Sequence, residues 1–338
     1  MNYFESSVKI PEFFGDFGGS MMTDSDIFVN RHRAELWEKA ISSEEFDRLY
    51  PEYLKLTAND IRKQKFGLTD GTEITYIEDQ SRYYSMAAQL AVAKITEKTE
   101  IDAGLYLKDV ALKLSSVCKQ LGFTCKIVLS QELSRDEELV KTLEADGTTV
   151  DNTTCLKLYD LPHALFERAF FNPENNFVYL AEGNLGIYPK PGLIGLTYTL
   201  FGKEVLKEAG DFDCCVVPTA TGSEALGIFK LLIEKGSDVK LVTVEEPICQ
   251  EYHLSESGTY TICTKPAHKD QQINTTICPE LANWWRLGSV VRLGADKLTV
   301  DDLSLSEELP INHQSKRAIA LTKQRFESRK MLVIGGKE

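Results

Sequence analysis

The stretch Val216-Val217-Pro218-Thr219-Ala220-Thr221-Gly222-Ser223-Glu224-Ala225-Leu226-Gly227 carries the strongest chemical signal in the chain. It reads as a buried strand, a turn of small residues and the start of a helix. That order aims several backbone N–H groups at one spot, where the helix dipole is positive. Small side chains at Thr219, Ala220, Thr221, Gly222 and Ser223 would let a phosphate, sulfate or carboxylate come close. Glu224 adds a carboxylate to the first helical turn. The same residues also suit a plain strand-to-helix turn capped by Thr or Ser.

Other chemistries find less support. The eight cysteines, at 118, 125, 155, 214, 215, 249, 263 and 278, form no C-x-x-C pair, and the five histidines do not cluster with them. A zinc set is therefore not expected. No Ser or Cys sits in a nucleophile motif, and the histidines lie apart, so a catalytic triad has no sequence support.

The elements that must position such a turn alternate. Thr72–Ile77 is a predicted strand, Met86–Lys94 an Ala-rich helix and Leu107–Leu121 another helix. Phe123–Leu129 reads as a buried strand, and Ser134-Arg135-Asp136-Glu137 caps a helix ending near Leu143. Cys214–Pro218 and Lys240–Val244 are predicted strands flanking a helix over Ser223–Glu234. This order predicts an α/β fold of mainly parallel sheets with helices on both faces. Before it, Ser25–Leu68 reads as helical and charged, with Ser42-Ser43-Glu44-Glu45 as an N-cap followed by acidic first-turn residues.

The 338 residues carry 38 Lys+Arg against 51 Asp+Glu, a net charge of −13. That balance disfavours a nucleic-acid partner, because an acidic surface repels phosphates. No apolar run is long enough to span a bilayer, and Met1–Ser20 lacks the basic start and apolar core of a signal peptide. Free thiols in a reducing cytoplasm are the expected state of the cysteines.

Several stretches, in order, resemble the tryptophan synthase β-subunit group of fold-type II pyridoxal-phosphate enzymes. Phe14-Gly15-Asp16-Phe17-Gly18-Gly19 resembles the family's aromatic-Gly-Glu-Phe-Gly-Gly start. Gly122-Phe123-Thr124-Cys125-Lys126-Ile127 resembles its Gly-Leu-Lys-Cys-Arg-Ile strand, and Tyr188-Pro189-Lys190-Pro191 its His-Pro-Tyr-Pro. Thr221–Gly227 resembles its phosphate-cradling Gly-Gly-Ser-Asn-Ala-Ile-Gly. Val244-Glu245-Glu246-Pro247 and Arg292-Leu293-Gly294-Ala295-Asp296 match two later stretches. The resemblance implies two lobes around a cleft. An arm and helices over 1–69 would pack on the larger lobe, 186–338, and 70–185 would form the smaller one.

The departures are concentrated where the family does its chemistry. Its Schiff-base lysine precedes an Ala-rich helix. Here that region reads Glu78-Asp79-Gln80-Ser81-Arg82-Tyr83-Tyr84-Ser85-Met86, and no lysine occurs between Lys65 and Lys94. Either Arg82 or Tyr83 takes the lysine's place. An arginine stays protonated and cannot form an imine. The family's carboxylate loop corresponds to Ile101–Lys108, where Asp102 would repel a substrate carboxylate and Leu105-Tyr106 would fill space. The family's cup asparagine is Glu224.

These departures lead to three readings. In the first, a lyase-like enzyme works on a small acidic or amino-acid-like substrate without pyridoxal phosphate, so no cofactor is expected. Arg82, Tyr83, Tyr84, Tyr106 and Glu224 would line its cleft, Arg82 gripping an anion and a tyrosine moving a proton; alternatively the tyrosines plug the cleft. The second reading is a non-catalytic subunit that binds a protein partner. The third keeps pyridoxal phosphate bound non-covalently for β-elimination or β-replacement. A homodimer in the cytoplasm, without membrane or nucleic-acid contacts, is expected in each.

Overall fold

The computed structural model describes residues 39–151, 174–179, 192–219, 222–245, 252–254, 260–262, 290–294 and 309–336. Helix α1 (Glu44–Thr57) starts where its cap predicts: the Ser43 hydroxyl accepts from the Phe46 N–H at 3.3 Å. Glu44, Glu45 and Asp47 then meet the positive end of the dipole.

The helical reading up to Leu68 is corrected downstream. Lys63–Gly67 is a strand, β1, paired antiparallel with β2 (Glu73–Glu78). The turn between them contains Asp70-Gly71, a hairpin signal, and Gly71 has φ +86°. Strand β1 is an edge strand with lysines at 63 and 65, side chains that discourage further strand pairing.

Then follow α2 (Ser81–Ile95), β3 (Glu100–Leu105), α3 (Lys108–Leu121), β4 (Thr124–Leu129), α4 (Glu137–Ala145), β5 (Thr149–Asp151) and β6 (Asn176–Tyr179). Next are α5 (Gly192–Ala209), β7 (Cys214–Thr219), α6 (Ser223–Glu234) and β8 (Lys240–Glu245). A short antiparallel hairpin, β9 (Tyr252–Leu254) and β10 (Tyr260–Ile262), precedes β11 (Val291–Gly294), α7 (His313–Arg325) and β12 (Lys330–Gly335).

The chain divides into two compact units, which do not follow the expected boundaries at 69 and 185. One takes the described parts of Gly19–Ala58 and Arg82–Leu193. Its sheet runs β5-β4-β3-β6, all parallel. Here α2 is buried all round from Tyr84 to Ala93, which its alanines and single methionine permit.

The other unit takes the described parts of Asn59–Ser81 and Ile194–Glu338. Strand β2, assigned by sequence to the smaller lobe, belongs to this sheet. Its order is β1-β2-β12-β7-β8-β11, parallel except at β1. One face buries Ile74, Val216, Val242 and Val333 against Ala318, Ile319 and Leu321 of α7. Between α5 and α6 the approach is close: a Cβ on Gly227 would stand 2.7 Å from the backbone carbon of Tyr198. The last residue of the sequence motif thus sets the seat of α6.

Candidate functional site

Parallel strands leave their carboxyl ends on one edge, where α/β folds bind ligands. In the second unit this edge is formed by Glu78 of β2 and Asp79 after it, Gly335 of β12, Thr219 of β7 and Glu245 of β8. The Asp79 N–H donates to the Gly335 carbonyl at 2.7 Å, which holds the β2 end against β12.

Helix α6 opens from this edge. Its N-cap Gly222 has φ +82° and ψ +9°, the left-handed region, and among the described residues no side chain caps the helix. Only glycine adopts that conformation without strain. The first N–H groups of α6 are thereby left to face whatever lies beyond the β7 end. The Thr219 hydroxyl is turned back to the Val217 carbonyl at 2.9 Å and serves its own strand. Ala220, Thr221 and the Ser223 side chain lie outside the described residues.

Glu224, half-buried in the first turn of α6, accepts a hydrogen bond from the Ser81 hydroxyl at 3.5 Å. Ser81 is fully buried, and its N–H donates to Asp79 Oδ1 at 2.8 Å. Ser81 is thus fastened to the β2 end and to α6. On the same edge the Ser315 hydroxyl, in the first turn of α7, is fully buried with no hydrogen-bond partner among the described residues. It fills the space that a side chain at Gly335 would need. Sequence reading missed Ser315, because a lone serine in a polar helix gives no signal.

In the first unit Arg82 and Tyr83 converge on Asp109, in the first turn of α3. The Tyr83 hydroxyl donates to Asp109 Oδ2 at 2.6 Å, and Arg82 Nη1 lies 3.8 Å from the same oxygen. Asp109 was not singled out from sequence. Tyr84 is buried at 5% exposure among core residues, and Tyr106 is half-buried in the β3–α3 connection.

The expected carboxylate loop differs from the structure. Ile101–Leu105 lies inside β3, and only Tyr106 and Leu107 connect it to α3. Asp102 is a strand residue, buried at 1% exposure, and accepts from Asn176 Nδ2 at 2.8 Å. The arm over Phe14–Gly19, Tyr188–Pro191 and most of the stretch around Ala295 lie outside the described residues.

The four described cysteines are free and buried. A hydrogen bond with Cys125, together with burial, holds the Cys118 thiol protonated, and burial pushes Cys214 up to about 12 and Cys215 well up. These thiols are packing groups, not nucleophiles. Among the described residues no cluster of His, Cys, Asp and Glu could hold a metal ion, and no helix is long and apolar enough to cross a membrane.

A family model described as pyridoxal-phosphate dependent enzyme matches residues 109–302, more than half of the chain. The chain belongs to the pyridoxal-phosphate dependent enzyme family. It is also similar to tryptophan synthase of Saccharomyces cerevisiae (strain ATCC 204508 / S288c), 22% identical over 265 residues. That alignment covers 72% of this chain and 37% of the yeast protein, so the chain spans little more than a third of its relative. The mixed α/β architecture with parallel sheets agrees with the fold that the resemblance implied.

Family membership corrects one expectation. The first reading allowed no cofactor, and the family points to pyridoxal phosphate. The edge fits its phosphate: Gly222 gives a side-chain-free cap, α6 supplies N–H groups and a positive dipole end, and the orphaned Ser315 hydroxyl leaves the same edge short of one polar partner. A covalent anchor is a separate matter. The first turn of α2 offers Ser81, Arg82 and Tyr83, and no amine.

Proposed function

We propose that the chain is a pyridoxal-phosphate enzyme of the tryptophan synthase β type, acting on a small amino acid by β-elimination or β-replacement. In this reading the cofactor is held through its phosphate, without a lysine link from the start of α2. The observation that carries it is the left-handed Gly222 cap of α6, inside the stretch that matches the family.

Bound there, pyridoxal phosphate supplies an electron sink for bond-breaking at the α-carbon of an amino acid. The chain's own residues divide the remaining work. Gly222 and the first turn of α6 hold the phosphate. Glu224, tied to Ser81, adds a negative charge that restrains how tightly the phosphate binds. Arg82 holds an anionic group through its guanidinium fork. Tyr83, with its hydroxyl steered by Asp109, keeps a proton at a fixed oxygen. A small-molecule substrate, a homodimer and a cytoplasmic setting belong to the same proposal.

Equilibrium dialysis with pyridoxal phosphate tests it. The protein is expected to bind one equivalent, and Gly222→Ala is expected to lose at least about tenfold in affinity, because an alanine cap must leave the left-handed region. Absence of binding by the natural chain would contradict the reading.

A second reading, a non-catalytic subunit that binds another protein, draws on one observation: Arg82 and Tyr83 are both drawn to Asp109. It requires that cofactor binding bring no turnover of any small amino acid, and that a partner chain co-purify at fixed stoichiometry.

A further inference from the structure

The Ser315 hydroxyl is buried at 0% exposure and has no hydrogen-bond partner among the described residues. A buried polar group left unpaired costs free energy, so it calls for a use. Helix α7 shows the ordinary solution further on, where the Thr322 hydroxyl donates to the Ala318 carbonyl at 2.7 Å. Ser315, the third residue of α7, has no earlier helical turn to donate to. The groups around it are committed. Asn312 Oδ1 accepts from the Ser315 N–H at 2.8 Å, while Asn312 Nδ2 and the Tyr76 hydroxyl donate to the Gly336 carbonyl at 2.6 and 2.7 Å. These bonds tie the start of α7 to the end of β12, so the α7 N-terminus opens on the carboxyl edge of the sheet. Side chains in a helix lean toward its N-terminus, and the hydroxyl therefore points to this edge. Gly335 stands against it and the half-buried Gly336 follows, and neither puts a side chain in the way.

We propose that the α7 N-terminus, through the Ser315 hydroxyl, seats the carboxylate of the small amino-acid substrate. The inference rests on the reading above that the chain acts on an amino acid, and adds where that amino acid is held. The loop that the family resemblance assigned to this carboxylate is absorbed into β3, with Asp102 buried in the sheet, so the group needs another seat. The first turn of α7 has the right sign for it. It carries no acidic residue, Lys316 follows the hydroxyl, and the dipole end is positive. Asn312 accepts from the Ser315 and Lys316 N–H groups, and among the described residues nothing accepts from those of His313 and Gln314. A carboxylate suits this place better than a phosphate. It is flat and can pass one oxygen beside Gly335 to the hydroxyl. A phosphate is tetrahedral and needs several N–H groups, which the side-chain-free cap of α6 offers. The O–H···O bond to the carboxylate is charge-assisted, and it satisfies the hydroxyl that the free protein leaves unpaired.

The test is calorimetric titration of the full chain with L-alanine, L-alaninamide and inorganic phosphate, without pyridoxal phosphate, beside a melting curve of the free protein. The natural chain is expected to bind L-alanine and not L-alaninamide. Ser315→Ala is expected to bind L-alanine at least about tenfold more weakly, with phosphate binding unchanged. The free Ser315→Ala protein is expected to melt no lower than the natural one, because the change removes an unpaired buried hydroxyl. A hydroxyl that served only the fold would give a lower melting temperature and an unchanged affinity for L-alanine. Either result would overturn the proposal, as would comparable binding of L-alaninamide, an equal loss for phosphate, or no L-alanine binding by the natural chain. The two readings fail separately. A chain that binds pyridoxal phosphate in its own titration but not L-alanine loses only this seat. A chain that binds L-alanine through Ser315 and never binds pyridoxal phosphate loses only the function proposed above.

Discussion

The Ser81 hydroxyl donates to the Glu224 carboxylate at 3.5 Å, joining the first residue of α2 to the first turn of α6. Glu224 stands in the turn whose N–H groups suit a phosphate, and its charge opposes one. Glu224→Gln keeps an acceptor for Ser81 and removes that charge. We expect affinity for pyridoxal phosphate and for inorganic phosphate to rise about three- to tenfold, the scale of one first-turn charge interaction of about 1 kcal/mol. Affinity for pyridoxal, which lacks the phosphate, should not change. Equal effects on all three ligands, read by dialysis, would show that Glu224 does not face the phosphate.

The seat of α6 depends on Gly227. An added Cβ there meets Tyr198 backbone atoms at 2.7 and 2.9 Å, and backbone cannot move aside cheaply. Gly227→Ala should destabilise the protein by about 1–3 kcal/mol in urea unfolding, the usual cost of overpacking. Gly202→Ala should cost less, because its nearest contact, 2.8 Å away, is the Leu231 Cδ1 at the end of a side chain that can rotate. A reversed order would contradict this account of the α5–α6 contact.

How far these features were legible in the sequence follows from their range along the chain. Helix α6 and strand β7 were read almost to the residue, because a strand, a glycine turn and a capped helix leave local signals. The Ser43 cap was legible for the same reason. Strand β1 was misread because Lys63-Gln64-Lys65 is polar like a helix surface, and its strand character comes from pairing with β2. Strand β2 was recognised but assigned to the wrong unit: its partner β12 lies some 250 residues later, and nothing local announces that pairing. The same distance hid the orphaned Ser315 hydroxyl. Asp109 went unnoticed because a single first-turn aspartate is what any exposed helix carries, and its meaning appears only when Arg82 and Tyr83 fold onto it. Asp102 was read as a loop residue by family correspondence, and β3 absorbed it into the sheet.

Asp70, in the β1–β2 turn, gives a pH expectation. The hydrogen bond from Lys323, supported by Thr72, lowers its carboxyl from 3.8 to about 2. A carboxyl lowered on folding contributes stability above its ordinary value and loses it as pH falls toward the lowered one. Asp70→Asn should therefore flatten the fall in melting temperature between about pH 4 and pH 2, with a modest loss at neutral pH because the half-exposed Asp70 carboxylate is screened by solvent. An acid limb identical to that of the parent protein would show that the Lys323 contact contributes nothing in solution.

This chain is proposed to bind pyridoxal phosphate through α6 without a lysine link from the start of α2. Borohydride reduction of the cofactor-loaded protein, followed by peptide mass spectrometry, tests it most directly, because reduction fixes any lysine-linked cofactor permanently. The expected result is one equivalent of bound cofactor before reduction, and no lysine peptide carrying the reduced group afterwards. Arg82→Lys, treated in the same way, should acquire the label at residue 82. A stoichiometric label on any lysine of the natural chain would contradict the account, and so would a protein that binds no cofactor at all.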